Sequence, residues 1–409
     1  RAIDFGKKVA LIERGKVGGA GLFDGALSSK TLWELSESYK MTRNTQLGYT
    51  VYDSELSFSS VMNQTHRAVV EKHSQLKQQI AYFQKSGQLQ YFQGHGQFKS
   101  DKEINITDAQ GQTQTIWADN TVMAIGSRPR YLPHIPIDEK IILTSDGVSH
   151  LTDFPKSIVI LGAGVIGCEF ATIFSNFGKT KVFLIDKEER ILPFEDEDIS
   201  RAVGANMESN GAVIHHGASL EKMSIVNGQV EYVLNYKDGR REIHTVEKAL
   251  ISVGRVSNSE NLNLQAAGVV LNDKGNIDDE HTRSNVPHIY AVGDFTADIS
   301  LVNVGELEGR HAVERMFGTP ARQLVYENIS TIMFLNPEVA SVGLNETQAR
   351  KKKIPYRIAV MNYRYVSRAI AMSKVDGFFK ILVSDDDEMK ILGMRVMGSH
   401  ASSTIMAVA

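Results

Sequence analysis

Three glycines and an acid set the first chemical possibility in this sequence. Gly162, Gly164 and Gly167 have the spacing G-x-G-x-x-G, and Asp186 closes the same stretch, Ile158 to Asp186. In such a turn Gly162 makes the tight bend, Gly164 lets backbone approach a pyrophosphate, and Gly167 allows a helix to pack closely on a strand. The helix N-terminus then faces the negative charge, and Asp186 is placed to accept hydrogen bonds from a ribose 2′-hydroxyl. A second cluster lies in Gly15 to Lys30, where Gly18 and Gly19 permit close approach of backbone to a ligand. Lys30 ends that stretch among small residues, and its simplest reading is a solvated helix start.

These residues need particular elements to hold them. The apolar run Ile158 to Leu161 predicts a strand, and Ile166, Phe170, Phe174 and Phe177 share one face of a following helix. Val182 to Ile185 predicts a second strand. An ordinary strand-to-helix turn would not require strand, helix, second strand and acid all in these places. Near the start, FGKKVALIE repeats FGKTKVFLID, so Val9 to Ile12 with Glu13 is the second half of another such unit. Its first strand and glycine turn would precede residue 1, and the chain is expected to begin inside an element.

The order that follows also repeats. Gly15 to Lys30 reads as a loop leading into a helix, Thr31 to Tyr39, and Phe58 to Phe83 as one long helix. Ile104 to Ile106, Gln114 to Trp117 and Thr121 to Ile125 read as strands, the last ending on Gly126. After the second unit come the strand Val213 to His215, a hairpin across Asp238-Gly239, and a strand Ala249 to Val253 ending on Gly254. Each copy thus passes from an acid-terminated strand through an antiparallel meander to a strand that stops at glycine. A third strand, His288 to Val292, stops at Gly293-Asp294, ahead of a helix from about Asn303 to Phe317. Asp294 there is either a ligand residue at a strand end or a simple helix N-cap or turn Asp. From Asn328 the pattern becomes alternating strands around ETQARKKK, a separate α+β region that stops at Ala409 inside a helical pattern.

Composition narrows the function classes. At 409 residues the chain suggests two or three domains, and 42% hydrophobic with 23% charged residues is a globular balance. A net charge of -3 gives no general pull towards nucleic acid. No stretch approaches the ~18 apolar residues of a membrane span, and no metal site is expected. The one cysteine, Cys168, excludes a disulfide framework within these residues and makes a cytoplasmic setting the default expectation.

Taken together, KVALIE, VGGAG with SSK after it, AIGSRP, LGAGVIGCE, SVGRVSN, IYAVGD, NPEVASVGL and LGMRVMGSHA resemble the pyridine nucleotide-disulfide oxidoreductases, and most closely their dihydrolipoamide dehydrogenase branch. The resemblance covers essentially the whole chain. It implies an α/β fold with two Rossmann-like dinucleotide-binding domains, for FAD and NAD(P), each with a β-meander, plus a C-terminal α+β dimerisation domain. The expected division is 1–127 and 255–325 for the FAD-binding parts, 128–254 for NAD(P), and 326–409 for dimerisation. By the same resemblance Glu13 would bind the FAD ribose, Gly18 and Gly19 would follow its pyrophosphate, and Gly94 to Gly96 would present backbone to adenine. Asp294 would hold the ribityl chain, with Gly126, Leu301 and Gly254 among the cofactor-binding residues. Lys30 and Glu169 would form an ion pair beside flavin N5, and a homodimer is implied.

One departure changes the chemistry. Where the family loop carries two redox cysteines, this chain has Gly21 and Ala26, and Ser28 replaces its proline. Thiol-disulfide exchange needs a thiolate, so the usual disulfide route is closed. Cys168, in the nucleotide-binding helix, is expected to pack as a small hydrophobe. The expected function is therefore FAD-dependent NAD(P)H oxidoreduction, NADH favoured by Asp186, with a small-molecule acceptor that is not a disulfide; Lys181 and Lys187 keep NADPH open. The alternatives are a dihydrolipoamide dehydrogenase by descent that keeps only side activities, a transhydrogenase-like enzyme, or a non-catalytic flavin-binding sensor.

Overall fold

The structure, a computed structural model, describes residues 1–45, 48, 50–52, 54–296, 299–318 and 323–409. Two compact units divide them: Arg1–Ser28, Thr65–Pro129 and Arg255–Leu324 form the first, and Ser29–Gln64, Arg130–Gly254 and Val325–Ala409 the second.

In the first unit Val9–Glu13 pairs in parallel with Leu89–Gln93, and Thr121–Met123 in parallel with Ile289–Ala291. A three-stranded antiparallel meander, His95–Phe98, Glu103–Thr107 and Thr113–Trp117, lies between them in sequence. Ser127–Pro129 pairs antiparallel with Arg255–Ser257. Phe92, Phe98, Ile104, Ile106, Ile289 and Phe295 build one shared core.

The second unit contains a five-stranded parallel sheet in the order Val213–His215, Lys181–Ile185, Ser157–Leu161, Lys248–Ile251, Ile142–Thr144. Its central strand is apolar from Ile158 to Leu161 because both of its faces are covered. Alternation sends Ile158 and Ile160 to a cluster with Phe170, Phe174 and Phe177 of the helix Val165–Phe177, and Val159 to a cluster with Val230, Tyr232 and Leu234 of the meander. The helix stops at Gly178, whose left-handed φ of 62° lets its N–H reach the carbonyls of Phe174 and Ser175. A five-stranded antiparallel sheet, Thr331–Met333, Val339–Gly343, Ile391–Met397, Phe378–Ser384 and Tyr356–Asn362 in that order, completes the unit.

Both meanders and the strand-stop-glycine pattern are present as expected. The stretch read as a loop up to Lys30 is not a loop throughout: Gly19–Phe23 is helical, and a second helix, Ala26–Thr42, already contains Lys30 in its second turn. The glycines just ahead hid this, although Ala26 to Lys30 itself holds neither Gly nor Pro. Asp294 caps no long helix. It lies in the short 3₁₀ turn Gly293–Phe295, ahead of the helix Val302–Phe317, whose N-cap is Leu301. The strands Leu89–Gln93, Ala218–Val226 and Val339–Gly343 and the helix Glu197–Ser209 were not anticipated.

A buried cation on the antiparallel sheet of the second unit joins it to the start of the helix Glu197–Ser209. Lys380 is fully buried, and its Nζ lies 2.7 Å from carboxylate oxygens of both Asp196 and Asp198 and 3.0 Å from one of Glu346. Asp196 is the N-cap of the helix Glu197–Ser209, and Asp198 sits in its first turn. Lys380→Met should leave three carboxylates facing one another without a cation. The expected loss is about 3 kcal/mol in chemical denaturation, and an unchanged midpoint would show that the cluster contributes nothing net.

Candidate functional site

The glycine turn owes two of its three glycines to the protein itself. A Cβ on Gly162 would lie 2.6 Å from the Ser252 carbonyl oxygen, and one on Gly167 would lie 2.0 Å from that of Gly162. Gly162 also adopts φ of 102°, which side chains rarely tolerate. Ser252 Oγ holds the turn from the next strand, 3.0 Å from the Leu161 carbonyl and 2.8 Å from that of Gly162. Gly164 differs. Its φ is -78° and a Cβ there would meet nothing within 4 Å. No internal contact asks for glycine at 164, and the absent side chain leaves the helix N-terminus open to a close-lying ligand group.

Asp186 ends the second strand of this pair and is buried. Its Oδ2 accepts from Ala163 N–H at 3.1 Å and its Oδ1 from Glu188 N–H at 2.8 Å, so the acid also braces the glycine turn. A carboxylate has about four acceptor positions, which leaves capacity for sugar hydroxyls. Lys181 Nζ is held by the Gly211 carbonyl at 2.9 Å, and Lys187 is exposed beside Glu188.

Lys30 and Glu169, the expected catalytic pair, come together in the second unit. Lys30 Nζ donates to Glu169 Oε2 at 2.8 Å, while Glu169 Oε1 accepts from the Phe334 backbone N–H at 3.0 Å. Glu169 is 5% exposed, so its charge is balanced by these two donors rather than by water. The Lys30 side chain keeps 31% exposure, and its ammonium also lies 5.0 Å from the Phe334 ring centroid. The pair is a positive charge fixed in position by a buried acid, with one side of the cation still accessible.

The first unit gathers the remaining residues. Glu13 Oε1 accepts from Gly15 N–H at 2.6 Å, and Gln93 Nε2 reaches the carbonyls of Glu13, Arg14 and Gly15 at 2.9 to 3.0 Å. Gly18 and Gly19 have φ of 109° and 56°; a Cβ on Gly18 would strike Leu22, whereas one on Gly19 would meet nothing within 4 Å. Gly126, with φ of 65°, is equally open. Gly94 and Gly96 have internal duties. Gly94 N–H donates to the Glu13 carbonyl, a Cβ on Gly94 would lie 2.7 Å from the Thr107 carbonyl, and Gly96 sits in the meander opposite Ile106. Asp294 accepts from Ser127 Oγ, which in turn accepts from Arg255 Nε at 2.7 Å. Arg255 Nε stands 3.9 Å from Asp294 itself. Leu301 precedes the first turn of Val302–Phe317, and Gly254, in the second unit, turns with φ of 100°.

Ser252, Ser127, Arg255 and the Phe334 N–H are missed by sequence reasoning. Ser127 and Arg255 lie inside the phrases AIGSRP and SVGRVSN, but nothing local states that they meet at Asp294. The loop positions Gly21 and Ala26 carry no thiol, and a Cβ on Gly21 would lie 2.9 Å from Val302 Cγ2. Cys168 is fully buried, its Sγ 3.5 Å from the Ala163 carbonyl. Burial first, then the charges of Asp186 and Glu169, push its thiol well above the usual range. It is not a reactive thiolate.

A family model described as pyridine nucleotide-disulphide oxidoreductase matches residues 1–309, and that family's dimerisation domain matches residues 329–409. The chain is 32% identical to a dihydrolipoyl dehydrogenase of Chlamydia muridarum, over 100% of this chain and 85% of that protein. It is 31% identical to a soluble pyridine nucleotide transhydrogenase of Chromohalobacter salexigens, over 99% and 85% respectively. Among solved structures, LpdA from Mycobacterium tuberculosis superposes with a TM-score of 0.90 at 24% identity, covering 100% of this chain and 88% of that one. The flavoprotein disulfide reductase RclA from Escherichia coli superposes at 0.85 with 22% identity, over 100% and 88%. These two structural likenesses establish the fold.

The two kinds of glycine separate in experiment. Gly167→Ala should cost about 2–3 kcal/mol of stability, because its Cβ meets backbone. Gly164→Ala should leave stability within about 0.5 kcal/mol yet weaken dinucleotide binding. Urea unfolding and nucleotide titration check both, and undiminished nucleotide affinity in Gly164→Ala would remove the role given to that position.

Proposed function

The chain belongs to the pyridine nucleotide-disulphide oxidoreductase family, and on that premise we propose that it is a FAD-dependent NAD(P)H oxidoreductase whose final acceptor is not a disulfide. The family is FAD- and NAD(P)-dependent. The observation that carries the proposal is a split in the family's machinery: the Lys30–Glu169 pair is intact at 2.8 Å, while Gly21 and Ala26 occupy the thiol positions. The only cysteine of these 409 residues is buried.

Bound nicotinamide and flavin supply hydride donation and acceptance, which no side chain can perform. The chain's residues hold and polarise. Gly164 with the N-terminus of Val165–Phe177, and Gly18 with Gly19, are assigned to the two pyrophosphates, and Glu13 and Asp186 to the riboses. Asp294, oriented by Ser127 and Arg255, is assigned to the ribityl hydroxyls. The open backbone at Gly164 and Gly19 supports this fit. Lys30, fixed by Glu169, offers a cation to negative charge developing on the flavin ring, a stabilisation available without reorganisation. Asp186 disfavours a 2′-phosphate, and the nearby Lys181 is already held by the Gly211 carbonyl, which supports NADH over NADPH.

The edge strand Tyr356–Asn362 leaves Ile358, Val360 and Met361 about half exposed, within the region matched by the dimerisation domain. Such an apolar edge supports a homodimer. Light scattering should give twice the chain mass, and a monomer at micromolar concentration would remove this part of the reading.

Stopped-flow spectroscopy of the FAD-loaded protein tests the main proposal. NADH should bleach the flavin faster than NADPH, and Lys30→Met should slow reduction about 100-fold. Flavin that stays oxidised with both nucleotides sinks the proposal. The relatives named dihydrolipoyl dehydrogenase favour one rival: robust dihydrolipoamide-dependent NAD reduction would mean that the loop works without thiols and that a disulfide is the acceptor after all.

A further inference from the structure

Away from the nucleotide residues, the meander of the second unit carries a cluster that the proposed function does not use. Its hairpin pairs Gln229–Tyr236 with Arg241–Val246, placing Tyr232 opposite His244 and Leu234 opposite Glu242. Alternation puts Glu242, His244 and Val246 on one face, and Val246, Tyr232 and Leu234 are buried in the core against the parallel sheet. The facing strand of that sheet, Val213–His215, ends in His215. Glu242 and His244 share one strand two residues apart, but no spacing in the sequence announces their meeting with His215, which comes from a separate strand.

A ring nitrogen of His215, a ring nitrogen of His244 and a carboxylate oxygen of Glu242 all lie within 4.8 Å of one another. His244 Nε2 is 3.0 Å from Glu242 Oε2, and the Tyr236 hydroxyl donates to the same oxygen at 3.0 Å. Since that hydroxyl has a single proton and a carboxylate only accepts, the Tyr236 oxygen must accept from His215 Nδ1–H, at 2.7 Å. A neutral His215 therefore presents Nε2 as a bare lone pair. That atom is buried and has no hydrogen-bond partner among the described residues, and neither has the nearby buried Tyr232 hydroxyl. His215 itself is 7% exposed. A network built only for packing would satisfy such groups, because unpaired buried polar atoms are costly.

We propose that His215, Glu242 and His244 form a binding site for a divalent transition metal of the Zn²⁺ type. Two imidazoles and one carboxylate are the donor set of three-ligand zinc sites, which keep one position for water. With Nε2 as the ligand atom, His215 has the support such ligands need, its Nδ1 being held by the Tyr236 oxygen. Arg240 Nη1, 3.0 Å from Glu242 Oε1, occupies the other carboxylate oxygen and leaves Oε2 facing the cluster. Tetrahedral zinc places its ligand atoms roughly 3.3 Å apart, so the widest separation must shorten on binding. The side chains of His244 and Glu242, 28% and 33% exposed, have room to do so and give the ion a way in.

Occupancy would tie the meander to the end of a strand whose His215 carbonyl faces Asp186 N–H at 3.4 Å. The site is thus next to the acid assigned to a nucleotide ribose, yet its existence does not depend on that assignment.

Tag-free, FAD-loaded protein should be equilibrated with micromolar Zn²⁺, desalted and assayed for metal by mass spectrometry. About one zinc per chain is expected for the wild type, with no comparable retention of Mg²⁺. Glu242→Gln and His244→Ala should each weaken zinc binding at least about 10-fold, while His134→Ala, at an exposed histidine outside the cluster, should not. Zinc should also raise the thermal unfolding midpoint of the wild type and leave that of Glu242→Gln unmoved, a readout that survives if His244→Ala folds poorly. Equal zinc content and equal thermal response in wild type and Glu242→Gln would overturn the proposal. The readout is bound metal rather than turnover, so it fails or succeeds separately from hydride transfer.

Discussion

A carboxylate taken out of water must be met by donors, and in the second unit the placement of Lys30 follows from that requirement. Glu169 reaches its buried position because Gly167, two residues earlier, lets the helix Val165–Phe177 lie against the turn; a side chain at 167 would strike the Gly162 carbonyl. Once there, its two oxygens are satisfied from two other parts of the chain, the helix Ala26–Thr42 through Lys30 and the strand end at Phe334 through a backbone N–H. Losing either donor would leave a buried charge underpaired, which is far costlier than losing a surface ion pair. Trp33, on the same helix as Lys30, adds an edge-on contact with the Phe334 ring at 5.3 Å. Three segments distant in sequence are therefore held in one register by one acid, and the cation's position is a result of the fold rather than of local flexibility.

What could be read from the sequence was what is local. The G-x-G-x-x-G turn, its helix, the second strand and Asp186 are contiguous, and each leaves a mark in spacing or periodicity. The repeat of FGKTKVFLID near residue 8 exposed a further dinucleotide-type element, in the first unit, for the same reason. Strands with mixed composition left weaker marks. In Ala218–Val226 the pair Glu221-Lys222 interrupts the alternation, and the ladder slips there between Leu220 and Lys222. The helix Ala26–Thr42 was hidden by glycines just ahead of it, so Lys30 was read at a helix start when it lies within a helix. Contacts made by backbone atoms or by distant serines left none at all: the Phe334 N–H on Glu169, Ser252 on the glycine turn, and Ser127 between Arg255 and Asp294 exist only once the chain is folded.

Gly94 and Gly164 show why a glycine should be weighed by what surrounds it. Both were assigned to ligand approach, but a Cβ at Gly94 would meet the Thr107 carbonyl and one at Gly164 would meet open space. The first is explained by packing inside the meander. Only the second leaves a need that the chain itself does not account for, and so only the second speaks for a ligand. The same reasoning sets His215 apart from His244 in its cluster, since its Nε2 is a buried acceptor that no group among the described residues uses.

The thiol-free loop is more than two replaced side chains. A Cβ at Gly21 would come within 2.9 Å of the Val302 Cγ2 methyl, on the first residue of the helix Val302–Phe317, so a larger residue there would require that side chain to shift. Lys30, four residues beyond Ala26 and on the same helix, kept its buried partner. The two features answer to different demands. A relay of electrons through sulfur needs two thiols at contact distance and a channel for a disulfide, whereas a fixed cation needs only a satisfied counter-charge and an exposed side. Under the proposed function the second demand survives without the first, and the acceptor must then take its electrons from the flavin directly rather than through the loop. That restricts acceptors to molecules able to approach the flavin as closely as the nicotinamide does, which favours flat, small oxidants over a protein-bound disulfide arm.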